Sequence, residues 1–228
     1  MRYSTFLLDL DHTLFDSDTS ETAAFTNTML LAGGVDPDQH AETYQRINKG
    51  LWAAVERGET TPQRVRLQRF ESLVAELELD ADPLVLANAF VAGLADNGDL
   101  YAGAREVMEE LSEHATLALV TNGLSEVQRA RIKRLDIDQY FDAVTVSAEV
   151  GFAKPGTEIF DITLRALDCP LKESTLMVGD SLSSDIRGGT NFGVATCWYN
   201  PTGRKAGRSD RAVHEINDLR GLLGFVDC

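Results

Sequence analysis

Two aspartates stand two residues apart in Asp9-Leu10-Asp11-His12-Thr13, directly after an apolar run. Carboxylates so spaced on a chain leaving a strand can point into one crevice. One can act as a nucleophile and the other as a proton donor, provided their surroundings split their pKa values. Acids this close repel each other, so the pair also calls for a cation. Read alone, the stretch is also compatible with a solvated turn that closes a strand. An EF-hand calcium loop begins with alternating acids too, but here the central glycine is missing and the twelfth position is Ser20, not Glu.

Three further groups have the same character. Thr121-Asn122-Gly123 offers a hydroxyl, an amide and glycine N–H groups at a helix start, which suits phosphate oxygens. Asn-Gly is equally an ordinary turn. Lys154-Pro155 carries one of only five lysines, in the apolar-flanked loop Gly151-Phe152-Ala153. There it could neutralise a carboxylate nucleophile and a substrate phosphate, or be a solvated loop lysine. Gly179-Asp180-Ser181-Leu182-Ser183-Ser184-Asp185 sets two acids after another apolar run. Magnesium takes one or two carboxylates plus waters and substrate phosphate, whereas Asp185 also suits a helix N-cap. In sequence order, with each group at a strand end or in an adjoining loop, the four are hard to explain as turns.

Those positions depend on the elements that hold them. Ser4-Thr5-Phe6-Leu7-Leu8-Asp9 reads as a buried parallel strand ending at a carboxylate. From about Asp16 to Asn97 helical periodicity takes over: Tyr44, Ile47, Leu51 and Val55 share one face, and Phe70, Leu73, Val74 and Leu77 another. Gly33-Gly34, Gly58 and Asp82-Pro83 punctuate this stretch, which predicts three to five helices in a separate unit. Beyond Tyr101 strands and helices alternate, with strands over Thr116–Thr121, Ala143–Val146, Thr175–Val178 and Val194–Trp198. Helices are predicted on the Ala104–Leu111 face, over Leu124–Leu135 and Thr157–Leu167, and briefly over Asp185–Asn191. The pattern implies right-handed crossovers and an α/β fold with a doubly wound, Rossmann-like parallel sheet. Core residues 1–15 and 98–228 would then carry an inserted α-helical cap domain at residues 16–97. Ligands bind at the carboxyl ends of strands in such sheets, so the insertion would lie over the site.

Bulk properties narrow the function. A net charge of −15 argues against nucleic-acid polymers and anionic membranes as partners, and a phosphate site in that field needs a cation and local donors. No run approaches the roughly 20 apolar residues of a membrane span. The start, Met1-Arg2-Tyr3-Ser4, lacks the apolar segment and cleavage site of a secretory signal. Cys169, Cys197 and Cys228 are scattered and odd in number, which reads as reduced thiols in a cytoplasmic protein.

Together the four groups resemble the motifs of the haloacid dehalogenase superfamily, over essentially the whole chain. The resemblance implies a central first strand flanked by those carrying Thr121 and Asp180, with a helical cap after the first motif. It implies Asp9 as the nucleophile that forms an aspartyl-phosphate, and Asp11 as the acid that protonates the leaving alcohol and then activates water. Thr13 would support the turn. Thr121, with the Asn122 and Gly123 backbone, would hold phosphate, and Lys154 would neutralise charge. Mg2+ would bind the carboxylates of Asp9 and Asp180 and the carbonyl oxygen of Asp11, while Asp185 would orient a water or Lys154 from behind. His12 replaces the glycine commonest at its place and is assigned no chemistry.

Members that release halide lack a second aspartate in the first motif, so Asp11 favours phosphoryl transfer. Phosphonate hydrolases need a cap lysine; only Lys49 is present there, on a surface-like stretch. The Gly-x-Ser-Arg type loop of sugar phosphomutases is not found, and a silent binding protein would be expected to have lost a motif acid. Asn48-Lys49-Gly50-Leu51-Trp52, Glu56-Arg57-Gly58-Glu59 and Arg69-Phe70 resemble the cap of the pyrimidine 5′-nucleotidase branch. That resemblance implies a small phosphate ester, a pyrimidine nucleoside 5′-monophosphate, as substrate, with Asn48, Trp52 and Arg69 as cap contacts. Trp52 is also compatible with a core position. Sugar phosphates or phosphoglycolate are the alternative substrates.

Overall fold

The computed structural model describes residues 3–207 and 212–226. Six strands form one parallel sheet: β1 (Thr5–Leu8), β2 (Thr116–Thr121), β3 (Ala143–Val146), β4 (Thr175–Gly179), β5 (Ala195–Tyr199) and β6 (His214–Ile216). Their spatial order is β3-β2-β1-β4-β5-β6, so β1 is central and lies between β2 and β4, the neighbours the sequence implies.

The strands read as unbroken apolar runs because both faces of the sheet are covered. Phe6, Leu8, Leu117, Leu119, Leu176 and Val178 pack on one side with Met108 and Leu111. Leu7, Ala118, Val120 and Met177 pack on the other with Ile159, Phe160 and Leu164. This alternation with a period of two residues is the pleat itself. The short edge strand β6 has no counterpart in the sequence reading.

Four helices follow β1: α1 (Ser17–Leu31), α2 (Pro37–Glu56), α3 (Pro62–Leu77) and α4 (Pro83–Asp96). Each starts at a side-chain cap, and α2 to α4 start with the same dipeptide logic. Asp36, Thr61 and Asp82 accept N–H bonds from the first turn, with proline next in line. Phe25, Met29, Tyr44, Ile47, Phe70, Leu73, Leu86 and Phe90 form a core separate from those of the sheet. The chain enters and leaves this unit side by side: Asp16 N donates to Asp99 O at 2.9 Å and Tyr101 N to Leu14 O at 2.9 Å.

The remaining helices flank the sheet: α5 (Ala104–His114), α6 (Ser125–Arg134), α7 (Ser147–Val150), α8 (Glu158–Ala166) and α9 (Arg187–Phe192). Helix α4 of the insertion also packs on α6 of the sheet layer.

Candidate active site

The four sequence groups converge at the carboxyl ends of β1, β2 and β4. Asp9 follows β1 and is buried, with Lys154 Nζ 2.6 Å from its Oδ1. The same ammonium lies 2.7 Å from Asp185 Oδ1 and donates to Val120 O at 2.7 Å. Lys154 is 1% exposed, so the solvated-loop alternative does not hold. Both carboxylates hold its pKa well above the ordinary lysine value against the pull of burial. Burial in turn pushes the Asp9 carboxyl well up, and Lys154 opposes that push only in part.

Thr13 links two strand ends. Its hydroxyl donates to Asp9 Oδ2 at 3.2 Å and accepts the Asp180 N–H at 3.0 Å. The turn it sits in places His12 at φ 61°, a region costly to residues with a β-carbon. That geometry accounts for glycine being common at this place.

After β4 the chain makes one wide turn, in which Asp185 N and Ile186 N both donate to Ser181 O at 3.0 and 3.1 Å. Wide turns of this kind frequently mark functional sites. It folds Asp185 back under the strand end, where Oδ2 accepts Ser181 N at 3.0 Å. A β-carbon on Gly179 would lie 2.2 Å from that oxygen, so glycine before Asp180 is a steric demand of the site. Asp180 is steadied by Arg204, 3.2 Å from Oδ2, and its carbonyl accepts Trp198 Nε1 at 2.9 Å.

Oxygens of Asp9, Asp180 and Asp185 lie within 4.8 Å of one another. Asp9 and Asp185 flank one buried ammonium with Asp180 close by, and oxygen donors in this number suit a hard divalent cation. These residues fit magnesium, with Asp185 added to the two side chains implied by the sequence. Asp180 is pushed up to about 6, first by burial and then by the Asp185 charge. A carboxyl raised in the fold lends stability below the ordinary carboxylate range and loses it as pH climbs through about 6. Magnesium binds the ionised form, so its stabilising effect should grow over that interval. Thermal melts with and without magnesium should give a larger gain in Tm at pH 7.5 than at pH 5; equal gains would remove Asp180 from the ligand set.

The phosphate-binding candidates divide. Thr121 is fully buried, and its hydroxyl accepts Gln128 Nε2 at 2.8 Å. The Asn122 side chain is committed elsewhere: Nδ2 donates to Lys154 O and Oδ1 accepts Lys154 N, both at 2.9 Å. It clips the lysine loop to β2, which leaves only its backbone for a ligand. The Gly123 N–H is engaged as well, donating to Ser147 Oγ at 3.1 Å.

The Asp11 side chain is held by three donors. Arg131 Nη1 lies 2.7 Å from its Oδ1, Ser17 Oγ donates to the same oxygen at 2.5 Å, and Gln128 Nε2 donates to Oδ2 at 2.5 Å. These donors hold its carboxyl below the usual range although burial alone would raise it.

A cavity of about 290 Å³ opens above these groups. Asn48, Trp52 and Arg69 of the insertion line it together with Asp9, Lys154 and Asp180. Trp52 is thus at the cavity wall and not in the helical core. Arg69 is buried over the Phe90 ring, 4.7 Å from its centroid, and donates to Tyr44 OH at 3.2 Å. Tyr44 and Asn48 both donate to Glu21 Oε1, at 2.6 and 2.5 Å. Arg69 Nε and Asn48 Oδ1 are buried without a hydrogen-bond partner among the described residues.

Glu21, Gln128, Arg131 and Arg204 also reach the site although no motif contains them, and Glu56, part of the cap stretch Glu56-Arg57-Gly58-Glu59, joins them. Glu56 ends α2 over the site, where its Oε1 accepts Ser183 Oγ at 3.2 Å. Gln128 and Arg131 are visible in the sequence as polar residues three apart on a helix that must pack.

The model of the haloacid dehalogenase-like hydrolases matches residues 3–193. The chain belongs to that family. Among curated relatives of this hydrolase, the pyrimidine 5′-nucleotidase PynA of Streptococcus pneumoniae is 32% identical, over 100% of this chain and 96% of its own. The pyrimidine 5′-nucleotidase YjjG of Escherichia coli is 34% identical, over 96% and 98% of the two chains. In structure the hydrolase resembles YfnB of Bacillus subtilis, solved with magnesium bound, at a TM-score of 0.91 and 31% identity, covering 100% of both chains. It is a phosphatase of the haloacid dehalogenase type, a phosphoric monoester hydrolase. Among the described residues no helix is long and apolar enough to cross a membrane.

Proposed function

We propose that this phosphatase is magnesium-dependent, works through an aspartyl-phosphate on Asp9 and cleaves pyrimidine nucleoside 5′-monophosphates. One observation carries the reading: the acids and lysine of the sheet and the polar side chains of the insertion line the same cavity. Residues 1–15 and 98–228 act as the catalytic core, and residues 16–97 as a cap that selects the leaving group. The names of PynA and YjjG support the substrate, and the magnesium in YfnB supports the metal. The interdomain movement described for YfnB supports a cap that opens and closes.

In the first step an Asp9 oxygen attacks phosphorus and the ester P–O bond breaks. The leaving alkoxide takes a proton from Asp11, which that carboxyl must first gain, because Arg131, Ser17 and Gln128 favour its ionised form here. In the second step Asp11, now a carboxylate, takes a proton from the water that attacks the phosphoryl group. Inorganic phosphate leaves, the Asp9 carboxylate is restored and Asp11 is protonated again. Lys154 holds Asp9 in place and offsets charge on the phosphoryl oxygens. Asp9, Asp180 and Asp185, with the Asp11 carbonyl, would hold magnesium, which supplies further positive charge at the transferring group.

A base edge needs both a donor and an acceptor from the protein. Asn48 and Arg69 bring an amide and a guanidinium to one wall, and Trp52 offers a stacking face. Replacing Asn48, Trp52 or Arg69 by alanine should lower kcat/KM for UMP and dTMP about tenfold or more, and change p-nitrophenyl phosphate little. The check is phosphate release across nucleotides, sugar phosphates and phosphoglycolate, with magnesium and with chelator. Better cleavage of sugars or phosphoglycolate would overturn the substrate; full activity in chelator would overturn the metal.

A further inference from the structure

Helix α6 carries a polar pair that none of the four motifs uses. Gln128 and Arg131 are three residues apart, so they share a face, and they are 1% and 3% exposed. The Arg131 guanidinium is filled in three directions. Nη1 meets Asp11 Oδ1 at 2.7 Å, Nη2 donates to Ser20 Oγ at 2.9 Å and Nε donates to Leu94 O at 2.9 Å. Its carbon lies 4.3 Å from the centroid of Phe15, in the chain entering the insertion. Gln128 completes the arrangement by bridging Asp11 Oδ2 and Thr121 Oγ1.

Ser20 lies in the first turns of α1 and Leu94 near the end of α4. One core side chain therefore touches both ends of the insertion and the second aspartate of the first motif. A guanidinium is planar and its donors are fixed relative to one another. Shifting Ser20 or Leu94 must turn the fork or leave a buried donor empty, and either event moves the group that holds Asp11.

We infer that Arg131 is a positioning residue that ties the seat of the helical insertion to the orientation of the Asp11 carboxyl. With α1 and α4 seated on α6 the fork is full and Asp11 is held. When they move, the fork opens and the Asp11 side chain is free to turn. The inference rests on the reading of Asp11 as proton donor to the leaving oxygen. It does not depend on which phosphate ester is the substrate.

The test compares Asp11→Asn, Arg131→Met and the double variant in full-length protein with magnesium. Single-turnover release is followed for p-nitrophenyl phosphate, whose leaving group needs no proton, and for the alkyl phosphate that wild type cleaves best. Arg131→Met should slow the alkyl ester at least about tenfold more than the activated one, as Asp11→Asn does, and the double variant should be within about twofold of Asp11→Asn. Arg131→Lys keeps the charge but loses the fork, should show the same contrast at smaller size, and replaces Arg131→Met if that variant does not fold. A leaving-group contrast in Asp11→Asn that the Arg131 variants do not share would overturn the coupling alone. No contrast in Asp11→Asn would overturn the acid reading and the coupling with it. A double variant that loses the product of the two single effects would likewise overturn the coupling.

Discussion

Asp9→Asn is expected to abolish turnover while the protein stays folded. The loss in kcat should be on the order of 10⁴-fold or more, because the amide removes the atom that bonds to phosphorus. The fold should survive for a reason visible at the site. The amide keeps the shape of the buried carboxyl it replaces, and the ammonium beside it is not left without an anion, because Asp185 stays in place. Lys154 keeps Asp185 and the Val120 carbonyl as partners. Melting temperature and phosphate release measured on the same preparation check both halves. Turnover within tenfold of wild type would remove Asp9 from the reaction.

Lys154→Met should behave in the opposite sense, costing stability as well as activity. Methionine fills the buried stem but leaves Asp9 and Asp185 facing each other without a cation. Removing one partner of a buried pair costs about 3–5 kcal/mol, equivalent to a fall in Tm on the order of 10 °C for a chain of this size. Magnesium should recover part of that loss, since it would bind the same carboxylates that the lysine had balanced. Melts of the variant across a magnesium titration give the measurement. A variant as stable as wild type without metal would mean that these carboxylates are protonated or solvated in the fold. A large loss that magnesium leaves untouched would separate the lysine from the metal cluster.

Much of this arrangement could be read from residue order, for reasons particular to each element. β1, β2 and β4 were legible because they are covered on both faces, which forces continuous apolar runs. β6 was not, since His214-Glu215-Ile216 is three residues at a sheet edge with a charged residue in the middle. The α2 to α4 starts follow from capping side chains before proline. Asp9, Lys154, Asp180 and Asp185 meet because each ends a strand or adjoins one, and the ends of adjacent parallel strands are neighbours. Arg131 and Glu21 act across elements far apart in the chain, and no spacing encodes such a meeting. Asn122 shows the converse: its residue type suggested phosphate, but its amide is spent on the backbone of Lys154.

The paired connections at Leu14–Asp16 and Asp99–Tyr101 have a consequence for how such a chain can change over time. From the viewpoint of the sheet, the more than 80 residues between them start and finish at one place, as a tight turn would. Lengthening, shortening or exchanging that cassette leaves strand order and register untouched, because the ends that the core must hold keep their separation. Chemistry and selectivity are therefore encoded in stretches that can vary independently. The exception is the surface where α4 rests on α6, and a foreign cassette would have to supply its own partners for Arg131 there.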